Sequence, residues 1–495
     1  MHQQEGGTGS SVYEGRVPFW QKYFYAWGGM AETILGLAFS SFNFFFYTNI
    51  LGLSGFLAGL AVTICLFFDA ASDPLVGSIS DRWKSRLGRR HPFMLTAPIP
   101  VGICLYLIYS PPAGLGDTGL FLWLTVLAIG LRVCMTFYHV PHLALGAELS
   151  ADFAERSRVM SFNTLFGAFG ALICLVTGYS VFFHKTPEFT NGLLNPDAYA
   201  PFALTAAIAG GIAMFISSFL TMKVIPRLPV PPPDISRFSP REFLLDVKDA
   251  LRNENYRHLL FGVLFLAATL GSRSTLSLHM NTYFWELVPE QIRYFALFAA
   301  AGPVIGAMSV TRLHLRFGKK NTIVWACFFT SLFAVLPVVL RLIGWFPKNH
   351  TPLLFPSLGI VYLLAVTAGI IFTISVMSAL ADIADEHELN TGRRQEGVFF
   401  ASRTFFAKAV NGLGHLIAGI ALDVINFPAG AEPGTVPADV IWELAVFDGP
   451  IAVIPGFLAV IFYRRYSISR KRLEAIQLQL RTNGKNSVSG GILPE

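Results

Sequence analysis

Two aspartates, Asp69 and Asp73, stand in an otherwise apolar stretch of the chain, FFDAASDPLVG. On a helix, residues four apart lie on one face and about 6 Å apart along the axis. Two carboxylates held this close without a counterion repel each other, and a bound monovalent cation or a proton relieves the repulsion. The spacing therefore predicts an ion-binding site, with simple pairing to a basic residue such as Lys408 as the alternative.

Other charged residues also stand within apolar stretches: Glu32, Arg132, Arg273, Arg403 and Lys408. Placing such a residue at a bilayer centre costs roughly 2.5 to 3.5 kcal/mol, so we expect these side chains to face protein or water. Arg132 and His139 are seven residues apart, nearly on one helical face, so both can line one cavity. For Glu32 and Arg132, reaching toward the headgroups stays an open alternative.

The composition favours a membrane as the solvent. Of the 495 residues, 53% are hydrophobic and 14% are charged, whereas soluble proteins have about 25% charged residues. The net charge of +6 is spread between apolar runs rather than over one basic domain, so no nucleic-acid partner is expected. All five cysteines lie in apolar stretches without a CxxC pair and are interpreted as small buried hydrophobic residues.

Apolar stretches of the roughly 20 residues needed to cross a bilayer recur along the chain. We predict twelve spans, at 23–48, 55–80, 93–110, 119–146, 159–183, 201–225, 257–285, 292–315, 321–345, 352–380, 396–424 and 446–463. The predicted fold is all-α: a polytopic membrane protein with 12 transmembrane helices in two six-helix bundles. The predicted domains are an N-terminal bundle (1–225), a cytoplasmic middle linker (226–256), a C-terminal bundle (257–463) and a cytoplasmic tail (464–495).

The charge pattern and an internal repeat support this plan. Most of the 37 Lys and Arg residues fall in the termini and the even-numbered loops, which places both termini in the cytoplasm. Gly88-Arg89-Arg90, before the third span, recurs as Gly318-Lys319-Lys320 before the ninth. Repeated six-helix halves are typical of secondary transporters, which bind substrate between the halves near the membrane midplane.

The sequence lacks the motifs of common enzymes. It contains no G-x-S-x-G, no Walker A loop and no H-E-x-x-H. His139 and His142 form H-V-P-H, which in an apolar run indicates packing or cavity lining more often than a metal site. We therefore expect no enzyme activity, no cofactor and no metal other than a coupling ion, so that an ion gradient would supply the energy for transport.

Three segments resemble the glycoside-pentoside-hexuronide:cation symporters of the major facilitator superfamily, the group of melibiose permease. They are DAASDPLVGSISDRWKSRLGRRHPF (69–93), FYHVPHLALGAELSADFAERSR (137–158) and ADIADEHELNTGRRQEGVFFASRTFFAK (381–408). The similarity covers essentially the whole chain in span order. It implies the major facilitator fold and cation-coupled symport.

The resemblance also implies roles for particular residues. The family's cation site, built from oxygen ligands that suit a hard ion such as Na⁺, matches Asp69, Ser72, Asp73 and Thr136. The family's coupling lysine matches Lys408, whose ammonium group would neutralise the aspartates when no cation is bound. The family's cytoplasmic gate resembles a set of basic and acidic residues, for which an ordinary solvated charge run is the alternative: Arg89, Arg90, Asp382, Asp385 and Glu388.

The sugar-binding residues of melibiose permease are not matched. An ungapped alignment places Thr33, His139, Thr164, Leu143 and Thr373 at those positions. Glu32 is a candidate replacement for the lost acid of span 1, although a shift of one residue rotates a side chain by about 100°. Because His139, Arg273 and Lys408 remain near the expected cavity, a carboxylate or phosphate substrate such as a hexuronide or glycosiduronate is favoured. The predicted substrate-binding residues are Glu32, Thr33, Arg132, His139, Thr164 and Arg273.

These observations predict a symporter that moves a glycoside, sugar or sugar acid together with Na⁺ or H⁺ by alternating access. We expect a monomer in the inner or plasma membrane, in contact with lipid. The first alternative is a carrier of a lysolipid or another amphipathic organic anion, since H-V-P in span 4 is similar to the eukaryotic sodium-coupled lysolipid symporters. A membrane-embedded enzyme and a passive channel are less favoured alternatives.

Overall fold

The computed structural model describes residues 16–150, 152–228, 239–393 and 395–489, which are helices, turns and loops with no strand. The α-helices in chain order are α1 (Phe19–Ser40), α2 (Asn43–Phe45), α3 (Gly55–Arg82), α4 (His91–Thr96), α5 (Pro98–Ile108), α6 (Asp117–Glu148), α7 (Phe153–Thr177), α8 (Tyr199–Thr221), α9 (Pro240–Ala250), α10 (Glu254–His279), α11 (Pro289–Ile292), α12 (Phe295–Leu342), α13 (Leu354–Thr391), α14 (Glu396–Val424), α15 (Ala438–Val446), α16 (Ala452–Arg465) and α17 (Arg470–Ser489).

Within the described ranges, ten helical segments are long and apolar enough to cross a membrane. One of them, Pro289–Leu342, contains Gly318 with φ 77° and ψ 159°, a non-helical conformation that separates the predicted spans 8 and 9. The predicted span 1 corresponds to α1, whose 22 residues include several polar side chains and which is not among the ten. The predicted all-α, multi-pass architecture is confirmed, and these two features account for the difference from twelve spans.

Span ends are the least accurate part of the prediction. The α-helix of span 1 ends at Ser40, and a π-helical turn, Phe46–Ile50, completes the predicted stretch. The last membrane segment begins at Ala438 rather than near residue 446. Glu443 and Asp448 interrupt its apolar pattern, which makes its start difficult to predict from hydropathy. Part of the predicted linker, residues 229–238, lies outside the described residues.

The chain forms two compact units. The first unit comprises Met1–Phe238, Ser274–Ala296 and His415–Ile441, and the second comprises Ser239–Arg273, Leu297–Gly414 and Trp442–Glu495. In the first unit α1 packs on α7 and α8, α3 packs on α6, and α5 packs on α6 and α8. The core of the second unit contains fully buried side chains from each of its long helices, among them Leu266, Cys327, Val376, Phe399 and Tyr463. The predicted domain boundaries stay a prediction.

The end of α14 is held against the start of α3 within the first unit. Asp423 accepts hydrogen bonds from the backbone N–H groups of Gly55 (2.6 Å) and Phe56 (2.8 Å). These N–H groups belong to the first turn of α3, where no intrahelical acceptor exists and a negative charge is favourable. A Cβ on Gly55 would collide with the carbonyl oxygen of Gly419. The close approach of two helices thus explains why part of α14 belongs to the first unit.

The internal repeat seen in the sequence is also a structural repeat. Gly88 and Gly318 both have positive φ, 73° and 77°, which favours glycine. The basic residues after each glycine pair with an acid on a later helix. Arg90 lies 2.9 Å from Glu148 of α6, and Lys319 lies 2.6 Å from Asp382 of α13. Each half therefore uses the same turn and the same type of ion pair.

Replacing Gly318 by alanine tests the importance of this turn. Nothing lies within 4 Å of an added Cβ at Gly318 or at Gly36 of α1, so packing affects neither variant. Gly318→Ala is expected to lower the free energy of unfolding by about 1 to 3 kcal/mol, because its φ and ψ are nearly restricted to glycine. Gly36→Ala is the control and is expected to be neutral or stabilising by up to about 1 kcal/mol. Thermal unfolding in detergent measures both, and equal melting temperatures would contradict the assignment.

Candidate functional site

Helices α3 and α6 bring the four predicted cation ligands together in the first unit. Asp69, Ser72 and Asp73 lie on one face of α3, and Thr136 of α6 faces them. The Thr136 hydroxyl lies 3.4 Å from Asp69 Oδ1 and 3.3 Å from Asp73 Oδ1, and the Ser72 hydroxyl lies 3.2 Å from it. Asp69 and Thr136 are 6% and 2% exposed, so this cluster of oxygens is largely removed from solvent.

The composition of this cluster restricts the ions that suit it. All its groups present oxygen, which hard cations prefer over nitrogen or sulfur ligands. The Thr136 hydroxyl carries one hydrogen and can donate to only one carboxylate at a time. In the described part of the chain, no group of three or more His, Cys, Asp or Glu residues is arranged to hold a metal ion. Two carboxylates with two hydroxyls therefore favour a monovalent cation or a proton.

Arg132 lies one turn before Thr136 on α6 and carries a positive charge into the same region. Its guanidinium carbon is 5.3 Å from the ring centre of Phe39, and the group lies close to the Cys65 thiol. Its Nε is buried and has no hydrogen-bond partner among the described residues. Arg132 thus brings a positive charge and an N–H group without a partner among the described residues close to the oxygen cluster.

Glu32 and His139, predicted separately as substrate-binding residues, contact each other. His139 Nδ1 lies 2.8 Å from Glu32 Oε2, while the His139 side chain remains 42% exposed. A carboxylate only accepts hydrogen bonds, so Nδ1 is the donor and Nε2 of the neutral ring carries no hydrogen. His139 therefore presents an acceptor suited to a hydroxyl group when neutral, and a donor suited to an anion when protonated.

The remaining predicted substrate residues of the first unit are two threonines. Thr33 donates to the carbonyl of Gly29 (2.9 Å) on its own helix, and Thr164 donates to the carbonyl of Met160 (3.0 Å). Thr164 is exposed, whereas Thr33 faces Gly167 of α7. Their hydroxyl hydrogens are engaged locally, so a ligand would meet these groups as acceptors.

Arg273, the predicted substrate-binding residue of the second unit, is paired with an acid. In the second unit its guanidinium binds the carboxylate of Asp448 at 2.9 Å and also donates to the Asp448 carbonyl. Asp448 is 2% exposed, so the pair is largely buried. The positive charge of Arg273 thereby has a counterion, and its role in substrate binding stays a prediction. The sequence analysis did not assign Asp448, although an acid in the last apolar stretch was a visible signal.

The predicted gate residues have partners inside their own units. In the first unit, Arg89 and Arg90 both bind Glu148, and Arg90 also binds Asp81. In the second unit, Asp382 binds Lys319, and Asp385 accepts a hydrogen bond from Gln477 of α17. Glu388 lies near the end of α13, and Lys408 is half-buried in α14. The roles of these residues in gating and coupling stay predictions.

The fold, together with the charged residues within the membrane segments around Asp69 and Asp73, is that of a membrane transporter. The chain matches the MFS/sugar transport protein family over residues 24–470 and belongs to that family. The solved structure of the nucleoside transporter NupG is similar with a TM-score of 0.60 at 12% identity, covering 89% of this chain and 99% of NupG. The major facilitator fold predicted from the sequence is therefore confirmed.

Curated relatives of this chain are carriers of several solutes. The putative glycoside/cation symporter YagG of Escherichia coli (strain K12) is 25% identical, covering 91% of this chain and 93% of YagG. The isoprimeverose transporter of Lactiplantibacillus pentosus is 22% identical, with 94% and 93% covered. The sodium-dependent lysophosphatidylcholine symporter 1-A of Danio rerio is 22% identical, with 93% and 88% covered.

These comparisons confirm the predicted class. The protein is a cation-coupled symporter of the major facilitator superfamily with a small-molecule substrate, and it spans the membrane several times. The matching family is one of transport proteins, and the chain is therefore a transporter rather than a membrane-embedded enzyme. The coupling ion and the solute are matters for proposal.

A pair of valine substitutions on α6 tests the ion site. Thr136→Val removes the hydroxyl shared by the two aspartates, and its loss is expected to raise the Na⁺ concentration needed for thermal stabilisation about tenfold, as for a hydrogen bond to a charged group. Thr125→Val is the control, because among the described residues the Thr125 hydroxyl bonds to the Phe121 carbonyl of its own helix (2.7 Å) and to no other group. Equal Na⁺ dependence in both variants would show that Thr136 is not a ligand.

Proposed function

We propose that the protein carries a hydroxylated organic anion, such as a hexuronide or glycosiduronate, into the cell together with Na⁺ or H⁺. The observation that carries the proposal is the cluster of Asp69, Ser72, Asp73 and Thr136, of which only Asp73 is partly exposed and in which one hydroxyl lies within 3.4 Å of both carboxylates. A cation bound there relieves the repulsion between the aspartates. The all-oxygen ligand set supports Na⁺ as the coupling ion.

One face of α6 relates the ion to the substrate. Arg132, Thr136 and His139 are separated by four and three residues, so they lie within one broad face of the helix. Arg132 and His139 are about 10 Å apart along the axis, with Thr136 between them. A ligand contacting both residues would lie beside the cation, and its negative charge would be attracted to that cation. This attraction makes the affinities for ion and substrate depend on each other.

The anionic character of the substrate is supported by Arg132 and His139. Arg132 has aromatic and thiol neighbours, and its planar guanidinium suits two-point recognition of a carboxylate. His139, with Nδ1 donating to Glu32, can contact a sugar hydroxyl through Nε2. We therefore expect a substrate with one acidic group and several hydroxyls. The relatives' names support a glycoside, since YagG is a glycoside/cation symporter and another relative is an isoprimeverose transporter.

A lysolipid or another amphipathic anion is the second candidate. It is favoured by the relation to the lysophosphatidylcholine symporters of Danio rerio and Gallus gallus. Leu143, one of the positions aligned with the sugar-binding residues, is apolar and 38% exposed, which suits an acyl chain better than a sugar ring. Inhibition of uptake by a lysolipid below its critical micelle concentration distinguishes this candidate from a glycoside carrier.

The proposed cellular setting follows from the charge distribution. Lys and Arg residues concentrate in the loops assigned to the cytoplasm, which supports an inner or plasma membrane location with both termini cytoplasmic. We propose a monomer in contact with membrane lipid and without a nucleic-acid partner. Lys408 of α14 is proposed as the coupling residue.

Uptake into proteoliposomes tests the substrate class. A glucuronide is expected to accumulate with an inward Na⁺ or proton gradient, and Arg132→Gln is expected to reduce this uptake at least about tenfold, since a charge-assisted hydrogen bond is lost. Arg316→Gln is the control, because Arg316 also contacts an aromatic ring (Phe317, 5.4 Å) but is exposed on α12. The anionic substrate class would be rejected if a neutral glycoside were transported as well as the glucuronide and if Arg132→Gln left its transport unchanged.

A further inference from the structure

A second group of buried ionisable side chains lies in the first unit, on α1 and α6. His142 of α6 is fully buried, and its Nδ1 lies 3.4 Å from Oε1 of Glu32 on α1. The other oxygen of Glu32 contacts His139. The predicted cation site is formed by other residues, on α3 and α6, so the two groups share only helix α6. The proposed transport function gives His142 no role.

The neighbours of His142 determine which of its nitrogens carries a hydrogen. Nε2 lies 2.9 Å from the backbone carbonyl of Tyr25, which can only accept a hydrogen bond. Nε2 is therefore protonated, and in the neutral ring Nδ1 has no hydrogen. Glu32 Oε1, facing Nδ1, is also an acceptor when ionised. Both atoms are buried and lack a hydrogen-bond partner in the part of the chain that the structure describes.

The imidazole of His142 is held in this orientation by packing. It stacks on Tyr25 at 4.3 Å and on Tyr138 at 5.2 Å between ring centres. Gly28 allows the ring to lie against α1, because a Cβ at that position would collide with Nε2. The ring cannot easily rotate Nδ1 away from Glu32. Two unprotonated acceptors that face each other in a buried place are unfavourable unless a proton lies between them.

We propose that Glu32 and His142 form a proton-binding site. A proton from water binds His142 Nδ1, and the new N–H donates to Glu32 Oε1 in a charge-assisted hydrogen bond. No other bond is broken, and the net charge of the pair changes from −1 to zero. With His139 donating to Oε2, both oxygens of the carboxylate are then satisfied.

In the described part of the chain, His139 is the other group facing this pair that can carry a positive charge. The ionisable neighbours are Tyr25 from α1 and Tyr138 from α6, in addition to His139. At this level α7 presents Asn163 and Gly167 to α1, and α8 presents Ser217 to the Tyr25 carbonyl. The added proton therefore lies between Glu32 Oε1 and His142 Nδ1, while His139 keeps its own hydrogen bond to Oε2.

Protonation of the pair also affects the proposed substrate position. His139 contacts the same carboxylate, so a proton on the pair reduces the negative charge beside His139. An anionic substrate at His139 is then repelled less, which links proton and substrate binding. This linkage rests on the proposed function, whereas proton binding by the pair does not.

Proton uptake by the purified full-length protein in detergent tests the site without any substrate. The solution is shifted from pH 8 to pH 6 at constant Na⁺, and bound protons are counted with an indicator dye. Glu32→Gln and His142→Gln are each expected to take up about one proton fewer than the wild type. The control is Glu254→Gln, because Glu254 also faces a histidine (His258, 3.5 Å) but is 75% exposed to water. This control is expected to match the wild type.

An unchanged proton count in Glu32→Gln would overturn the proposal. Asp73→Asn separates this outcome from a failure of the cation site, since it is expected to lose Na⁺-dependent stabilisation but to keep the proton. If a variant does not fold, ¹⁵N-histidine spectra of the wild type still decide the question. A solvent-protected imidazolium with hydrogens on both nitrogens at pH 6 supports the site, and its absence refutes it.

Discussion

The proposed mechanism depends on two carboxylates that lie one helical turn apart on α3. Asp69 and Asp73 repel each other, and their attraction to a cation is stronger here than in water. The packing of α3 on α6 places Thr136 within 3.4 Å of both. An ion that neutralised this pair, as we propose, would lie where it can affect neighbouring charges.

Helix α6 connects this ion to the other polar groups of the first unit. Arg132, Thr136, His139 and His142 occupy consecutive turns, and they contact α1 and α3 on either side. Charges this close in a low-dielectric setting influence one another, which is the physical basis for coupling between a cation, a proton and an anionic substrate. In the second unit, Arg273 is paired with Asp448 at 2.9 Å, so its positive charge has a counterion there.

The sequence predicted the features that depend on local geometry. The shared face of Asp69 and Asp73 follows from a spacing of four residues. The repeated motif at Gly88 and Gly318 was visible in the sequence, and the structure adds that both glycines have the same positive φ. The contact of Glu32 with His139 and His142 was not predicted, because it depends on how α1 packs against α6. The placement of part of α14 in the first unit also depends on tertiary packing, which hydropathy does not report.

Gradient-driven accumulation in proteoliposomes tests the central claim most directly. The double variant Asp69→Asn, Asp73→Asn removes both negative charges with little change in side-chain volume. The account predicts that this variant loses accumulation of substrate against its gradient while still exchanging labelled for unlabelled substrate at equal concentrations. Accumulation at the wild-type level in the double variant would contradict the account, since no coupling ion would then be held by this pair.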